Sequence, residues 1–599
     1  MISTARDILK SSFGYDCFRA GQEPVVRALL EGASVLAVMP TGSGKSLCFQ
    51  IPALVRSGLA LVVSPLVALM EDQVAALQLA GIAAESINSS KSYDENAAIW
   101  RRVTAGQVKF LYVAPERLMT PRMLAALAKL QIGLIAIDEA HCISRWGPSF
   151  RPDYEQLADL KDHFQDVPIA ALTATADAAT RNDISSRLFR GQGQVFVAGF
   201  DRPNIRIGVD LRDNWKRQLL AFVRARTGAC GVVYCLSRKQ TDQAAGFLND
   251  NGFRAYPYHA GLDSATRTLH QDRFMTEPGV VMVATIAFGM GIDKPDVRYV
   301  FHTNLPANIE AYYQEIGRAG RDGEPAEALM LYGLDDIRLR RQFIDQDGSD
   351  EDNKRREHKR LDTLIAYCET PECRRQALLA YFDDHTSPCG NCDICLDPPD
   401  LQDGATVADL VLDVVKDTGQ RFGAAHLIDI LRGADTERIR KFRHQRLPRY
   451  GEGAGTGKED WRSIVRQMVA AGLLDLDIKG YGGLSLTEKA TAYLRGDLTF
   501  HYRQLVSREA TATTRRAQPP SHLSQRDGGL FDALKAHRLQ LARTRGVPAY
   551  AIFPDRTLAE MAADRPATLE DFARLNGVGK VKLGKFADGF LAVIRQHGE

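Results

Sequence analysis

The sequence predicts an α/β protein with two doubly wound parallel-sheet lobes, followed by smaller, mainly helical modules. Three observations carry this. Short apolar, β-rich runs alternate with stretches of helical period through the first half of the chain, the pattern of strands covered on both faces by crossover helices. The alternation breaks once, at residues 200–204 (FDRPN), which reads as a connector. Beyond residue 335 it gives way to charged helical period punctuated by turn-rich and polar stretches.

In the first lobe, 1–205, the apolar runs are 35–39, 59–63, 109–113, 134–137 and 169–172. In the second, 206–335, they are 230–234, 255–259, 280–284 and 297–301. A basic helical segment at 354–360 leads into a cysteine cluster closed by LDPPD at 396–400, so a third module spans 336–400. Residues 401–506 read as short helices ending in an alternating strand at 483–486. TATTRRAQPPS lies in a polar linker, 507–526, and helical period returns over 527–599. There is no internal repeat beyond the similar plan of the two lobes.

Composition sets the outer bounds. A length of 599 residues corresponds to about three to five domains. Hydrophobic residues at 45% and charged residues at 25% are ordinary globular usage and exclude collagen-like, disordered and disulfide-scaffold classes. Lys+Arg 76 against Asp+Glu 74 gives a net charge of +2, which excludes a polybasic coat but leaves room for local basic patches. No apolar run reaches the ~18 residues that span a bilayer, and the start, MISTARDILKSSFGYD, lacks an apolar signal core. A cytoplasmic protein is expected. Five of the ten cysteines are scattered and five crowd into 368–395, a usage that points to metal rather than disulfides.

Three motifs converge on nucleotide chemistry. MPTGSGKS (39–46) follows the first apolar run and opens a helix. A turn shaped by Thr41, Gly42 and Gly44 lets backbone N–H groups approach phosphate oxygens. Lys45 reaches the outer phosphates and Ser46 ligates Mg²⁺. Met39 stands where the strict pattern has its first glycine, so this piece alone leaves a chance Gly-rich turn as the alternative. LIAIDEAH (134–141) delivers two carboxylates to the end of a strand, Asp138 to hold Mg²⁺ and Glu139 to orient the attacking water. QEIGRAGRD (314–322) carries Arg318 and Arg321 three residues apart, which on a helix places both on one face, where they stabilise charge on a transferring phosphoryl group.

Two further constellations stand beside them. HCISRWGPSFRPDY (141–154) sets Trp146 and Phe150 to stack on unpaired bases and Arg151 to meet phosphate; core aromatics are the alternative. Cys373, Cys389, Cys392 and Cys395 follow C-x15-C-x2-C-x2-C, a spacing that closes a tetrahedron around Zn²⁺, with His385 as an alternative donor.

In this order across two α/β units, the nucleotide motifs resemble the superfamily-two helicases, and the flanking text resembles the RecQ family of DNA helicases. FGYDCFRAGQ (13–22) is similar to that family's adenine-reading segment, which implies Gln22 on the base edge with Tyr15 and Arg19 beside the ring. SPLVALMEDQ (64–73) and APERL (114–118) resemble its DNA-backbone and lobe-coupling motifs, and TATA (173–176), ATIAFGMGIDKP (284–295) and the Arg318/Arg321 segment complete its motif set. YFDDHTSPCGNCDIC resembles its zinc segment and aligns the first ligand with Cys373 rather than Cys368.

The resemblance implies RecA-like lobes, a helical zinc module, a winged helix at 401–506 and an HRDC-type helical module at 527–599. On the winged helix, the Arg-rich stretch 432–449, with Arg438, Arg440 and Lys441, suits duplex phosphates, and Tyr481 at a short Gly-rich wing is a strand-separation candidate. Tyr550 matches a family position for single-strand contact. GVGKVK (577–582) offers backbone N–H groups and lysines to phosphate, with a plain structural turn as the alternative.

The expected activity is an ATP-dependent DNA helicase in recombination, fork processing and repair. It is expected to use ATP, Mg²⁺ and Zn²⁺ and to act on single-stranded and duplex DNA. The resemblance also implies 3′-to-5′ movement, a single-stranded-DNA-binding protein as partner, a monomer, and association with the bacterial nucleoid. The rival readings are an RNA helicase and an ATP-switched DNA-binding or annealing protein.

Overall fold

A computed structural model describes the chain except residues 145–151, 287, 289–293, 348–350, 477–482, 504–524, 546 and 598–599. The first lobe is built on seven strands: β1 (Val35–Val38), β2 (Leu59–Val63), β3 (Ala84–Ile87), β4 (Phe110–Val113), β5 (Ile132–Ile137), β6 (Ile169–Thr173) and β7 (Gln194–Val197). They pair in the order β3-β4-β2-β5-β6-β1-β7, every pairing parallel. The inner strands read as unbroken apolar text, VLAV, LALVV and IAALT, because both faces are covered. The two strands absent from the sequence reading, β3 and β7, are the edges of the sheet. AESI carries two polar residues, and QVFV is largely exposed, so neither shows the buried-strand signal.

The second lobe repeats the plan with β8 (Ile205–Leu211), β9 (Cys230–Tyr234), β10 (Arg254–Tyr258), β11 (Val280–Ala284), β12 (Val297–His302) and β13 (Ala326–Tyr332). Their order is β10-β11-β9-β12-β13-β8, again all parallel. Here β8 and β13 escaped the sequence reading, since IRIGVDL and AEALMLY alternate between buried and half-exposed positions. In the first sheet the connections place the phosphate loop and the DEAH segment at the carboxyl ends of β1 and β5; the arginine turn of the second lobe lies instead at the amino end of β12, where Gly320 N donates to Val297 O.

Helices Leu334–Gln346, Glu351–Glu369 and Arg374–Ala380 form the third module, and β14 (Leu401–Asp403) pairs antiparallel with β17 (His501–Arg503) to close the fourth. Inside the fourth, Trp461 is fully buried on helix Lys458–Ala470, and β15 (Leu474–Leu476) pairs with β16 (Leu484–Leu486) as the wing hairpin. Glu369 ties three units together. Its buried carboxylate accepts from Arg466 Nε at 3.0 Å, Arg503 Nη2 at 2.8 Å and the Tyr332 hydroxyl.

The C-terminal bundle, helices Gln525–Arg545 to Lys580–Gln596, has its own core around Phe553, Phe572 and Phe590. It packs on the first lobe. Gly577 N donates to Gly14 O at 2.9 Å, and Leu79 of the lobe joins the bundle's core. No helix among the described residues is long and apolar enough to cross a membrane.

Candidate nucleotide and metal sites

Strand β1 runs into the phosphate loop, whose turn requires glycine: Gly42 has φ +78° and Gly44 φ +81°. Helix Lys45–Val55 then starts with no side-chain cap on its first turn, which leaves its N–H groups and positive dipole end turned to the loop. Lys45 Nζ donates to Met39 O at 3.1 Å and Pro40 O at 3.2 Å, so the lysine lies along the inside of the loop; Ser46 follows in the first turn.

Two of the residues assigned to the base are engaged with this loop. Gln22 is buried, accepts from Arg19 N at 2.8 Å and donates to Ser43 O and Gly44 O at 3.0 and 3.1 Å. Arg19 Nη1 donates to Gly42 O at 2.8 Å. Tyr15 is half-buried against the apolar cluster of Ala5, Leu9, Val26, Leu30 and Ile51.

Strand β6 lies between β1 and β5, so the carboxylates arrive one strand away from the loop. Asp138 N donates to Val63 O at 2.9 Å, and Gln73 Nε2 donates to the Asp138 carboxylate at 3.4 Å. Burial, and then the neighbouring Glu139 carboxylate, push the Asp138 pKa up to about 6, while Lys45 pulls it down. Glu139 is held at φ +50°, a conformation that non-glycine residues rarely adopt and that is found at functional sites. Its Oε2 sits 3.3 Å from His141 Nδ1, and His141 meets Thr173 Oγ1 at 2.8 Å. Two adjacent carboxylates, one of them desolvated by burial, form a hard oxygen donor set that needs a countercharge, and this fits Mg²⁺.

The arginine pair departs from expectation. Helix Ile309–Ile316 ends at Gly317, so Arg318 and Arg321 lie on the turn beyond it and do not share a helix face. The chain folds over there because Gly320 takes φ +57° and donates to Val297 O at 2.8 Å. The consequence is a division between the two. Arg318 is buried beside the Tyr234 hydroxyl. Arg321 faces the phosphate loop, where a β-carbon on Gly42 would meet its Cγ at 3.4 Å. Direct bonds join the lobes here: Thr41 Oγ1 donates to Gly317 O at 2.9 Å, and Gln314 Nε2 to Thr175 Oγ1 at 2.7 Å. Sequence reasoning missed one participant, Arg202, whose signal is the lone arginine of the FDRPN connector.

The sulfurs of Cys373, Cys389, Cys392 and Cys395 all lie within 4.8 Å of one another, with Cys389–Cys395 at 4.0 Å and Cys373–Cys392 at 3.9 Å. Tetrahedral Zn²⁺ with ~2.3 Å bonds sets sulfurs ~3.8 Å apart, so the cluster has the size a zinc ion requires. Among the described residues neither Cys368 nor His385 belongs to it; Cys368 is buried on helix Glu351–Glu369.

The expected DNA contacts divide. Trp146, Phe150, Arg151 and Tyr481 lie outside the described residues. Arg438, Arg440 and Lys441 are exposed on helix Glu437–Phe442, with Arg438 over the Phe422 ring at 5.4 Å. Arg449, in the same basic stretch, is taken up by Asp413 and Glu452. Tyr550 is half-buried and packs against both the bundle core and the helicase body. The GVGK turn is likewise spent on the protein: a β-carbon at Gly579 would meet Ser12 O at 2.5 Å. Lys582 is buried, donates to Ala551 O at 2.8 Å and has its pKa pushed down to about 8 by burial.

Comparison with known proteins agrees with this layout. Five family models match in order: DEAD/DEAH box helicase over 19–184, helicase conserved C-terminal domain over 214–323, RecQ zinc-binding over 334–396, RQC domain over 398–511 and HRDC domain over 527–594. The ATP-dependent DNA helicase RecQ of Haemophilus influenzae is 42% identical, over 99% of this chain and 96% of its own length. The chain belongs to the RecQ family of ATP-dependent DNA helicases. The RecQ proteins of Pasteurella multocida, 42% identical over 99% of this chain and 94% of theirs, and of Bacillus subtilis, 34% identical over 100% and 99%, span it equally fully. The four-thiolate cluster lies at the end of the RecQ zinc-binding match, and the exposed basic helix lies within the RQC match.

Proposed function

We propose that this RecQ-family helicase hydrolyses ATP with Mg²⁺ in the crevice between its lobes and thereby moves 3′-to-5′ along one DNA strand. The observation that carries the reading is the direct meeting of the phosphate loop with the arginine turn, through Thr41 and Gly317. Hydrolysis then depends on lobe closure, and cycles of closure become steps along DNA. Lys45, Thr41, Gly42, Gly44 and Ser46 hold the phosphates, and Asp138 and Ser46 hold Mg²⁺. Glu139 orients the attacking water. Arg321 stabilises charge on the γ-phosphoryl, with Arg318 supporting the turn from behind. Tyr15, Arg19 and Gln22 hold the base side.

Trp146, Phe150 and Arg151, which follow the catalytic carboxylates closely in sequence, grip unpaired bases. Arg438, Arg440 and Lys441 hold duplex phosphates, and Tyr481 meets the junction. Zn²⁺ on four thiolates has no open position for substrate and is structural. The modules work as 1–205, 206–335, 336–400, 401–506, a linker at 507–526, and 527–599. The protein acts as a cytoplasmic, nucleoid-associated monomer with a single-stranded-DNA-binding protein as partner.

Strand displacement on 3′-tailed and 5′-tailed duplexes, with and without ATP, tests activity and polarity together. Displacement is expected on the 3′-tailed duplex only, with ATP, and to vanish in Lys45→Ala while DNA binding persists. Stronger ATPase stimulation by RNA than by single-stranded DNA would instead favour the RNA reading.

A further inference from the structure

Arg202 lies on the connector between the lobes and is mostly buried. Its Nη1 donates to Thr41 O at 2.8 Å and Gly317 O at 3.1 Å; its Nη2 donates to Ala319 O and Gly320 O, both at 2.8 Å. Thr41 belongs to the phosphate loop of the first lobe. The other three carbonyls belong to the turn of the second lobe that carries Arg321. We propose that Arg202 is a positioning residue for ATP hydrolysis, a clamp that fixes the distance between the phosphate loop and the Arg321 turn.

Several observations support a clamp rather than a second finger. A guanidinium has five N–H donors, and four bonds to carbonyls use all those on its two terminal nitrogens, so the bidentate fork with which an arginine finger grips a phosphoryl group is already spent on the protein. The neighbouring carboxylates are committed elsewhere, Asp322 to Arg298 at 2.6 Å and Asp201 to Arg375 at 3.3 Å. Carbonyls at the end of helix Ile309–Ile316 carry its negative dipole end, and bringing them beside another buried carbonyl is unfavourable without a cation between them. The approach is close enough to need this. A β-carbon at Gly317 would meet Thr41 Oγ1 at 2.2 Å, so the Thr41 side chain rests directly on the backbone of the turn. Burial, with Arg321 nearby, pushes the Arg202 pKa down to about 10, still well inside the charged range at neutral pH.

The proposal rests on the reading of Arg321 as the phosphoryl-facing arginine. The test compares Arg202→Gln, Arg202→Lys, Arg321→Ala and the double variant Arg202→Gln/Arg321→Ala in the full chain. Each is measured for DNA-stimulated ATPase kcat and KM, binding of a fluorescent ATP analogue, and thermal unfolding. Arg202→Gln is expected to lower kcat by about tenfold to a hundredfold through misplacement of Arg321, with analogue affinity within about threefold. Arg202→Lys is expected not to rescue it, because a point charge with three donors cannot span four carbonyls. The double variant is expected to be no slower than Arg321→Ala alone. An additive double variant, a loss confined to analogue affinity, or an unchanged kcat in Arg202→Gln overturns the clamp. If Arg321→Ala itself turns over normally, the finger assignment fails instead. Should Arg202→Gln unfold, Arg202→Lys, which keeps the buried charge but cannot span the four carbonyls, gives the same comparison; additivity with Arg321→Ala there overturns the clamp too.

Discussion

Replacing Glu369 by Gln isolates the joint between the motor and the DNA-holding modules. The carboxylate side chain is 4% exposed and faces two guanidiniums, of Arg466 and Arg503, from the winged helix, together with the Tyr332 hydroxyl from the second lobe. Burial alone would raise its pKa, but the two arginines outweigh this and hold it below the ordinary carboxylate value. Glutamine keeps the shape and removes the charge, so both guanidiniums stay buried with no anion between them. Breaking a buried pair from one side costs about 3–5 kcal/mol. For a cooperative unit of about 150–250 residues each kcal/mol lowers Tm by about 2–4 °C, so the zinc and winged-helix unit is expected to melt about 6–20 °C lower. Calorimetry of zinc-loaded protein at neutral pH reads this directly. The pH dependence gives a second check. With a depressed folded pKa, Glu369 contributes stability above its ordinary value of 4.5 and loses it as pH falls through the folded value, so Glu369→Gln is expected to flatten the acid limb. A Tm change of less than about 2 °C with an unaltered acid limb would refute the argument.

Two other perturbations follow from the geometry. His426 Nε2 meets His444 Nδ1 at 2.9 Å inside the winged helix, and burial, then His444 and Arg438, push the His426 pKa down to about 4. This stability is present above the ordinary 6.5 and lost as pH falls towards 4, up to about 3 kcal/mol; a flat denaturation midpoint across that window, followed by Trp461 fluorescence, would contradict it. Removal of zinc by a chelator, or Cys392→Ser, is expected to lower the melting temperature of the unit carrying Arg374 and Glu369 and to weaken duplex binding before it affects nucleotide binding; an unchanged melt after verified metal loss sinks the structural role.

The legible parts of this chain are those that meet a ligand or fill a buried strand. GSGK, DEAH and the four cysteines are short, local and chemically constrained, and VLAV or LALVV can be read because each strand is covered on both faces. The edge strands β3 and β7 and the alternating strands β8 and β13 were lost because partial burial dilutes their apolar text. The arginine turn was misread for a related reason. Three-residue spacing is helical only while the helix lasts; here it ends at Gly317, before Arg318, and the chain turns at Gly320, before Arg321.

The C-terminal bundle shows why residue type does not reveal what a side chain faces. GVGK carries the glycines and lysines of a phosphate turn, yet close approach of backbone to backbone needs glycine as much as approach to phosphate does. Here Gly577 and Gly579 face Gly14 and Ser12 of the first lobe, beside the segment that holds Tyr15, Arg19 and Gln22. The same holds for Arg202, one arginine in FDRPN, whose four partners are carbonyls of residues up to 161 positions away. Carbonyl partners leave no mark on sequence, since every residue has one, and only the fold decides which of them converge. The net charge of +2 is read the same way: many of the chain's arginines hold its own carbonyls and carboxylates, and even in the exposed basic helix of Arg438, Arg440 and Lys441 one of them, Arg440, lies 3.5 Å from Asp435. A motor that must release its track in each cycle is better served by such a group than by a uniformly basic surface, because each phosphate contact added strengthens binding in every state of the cycle alike.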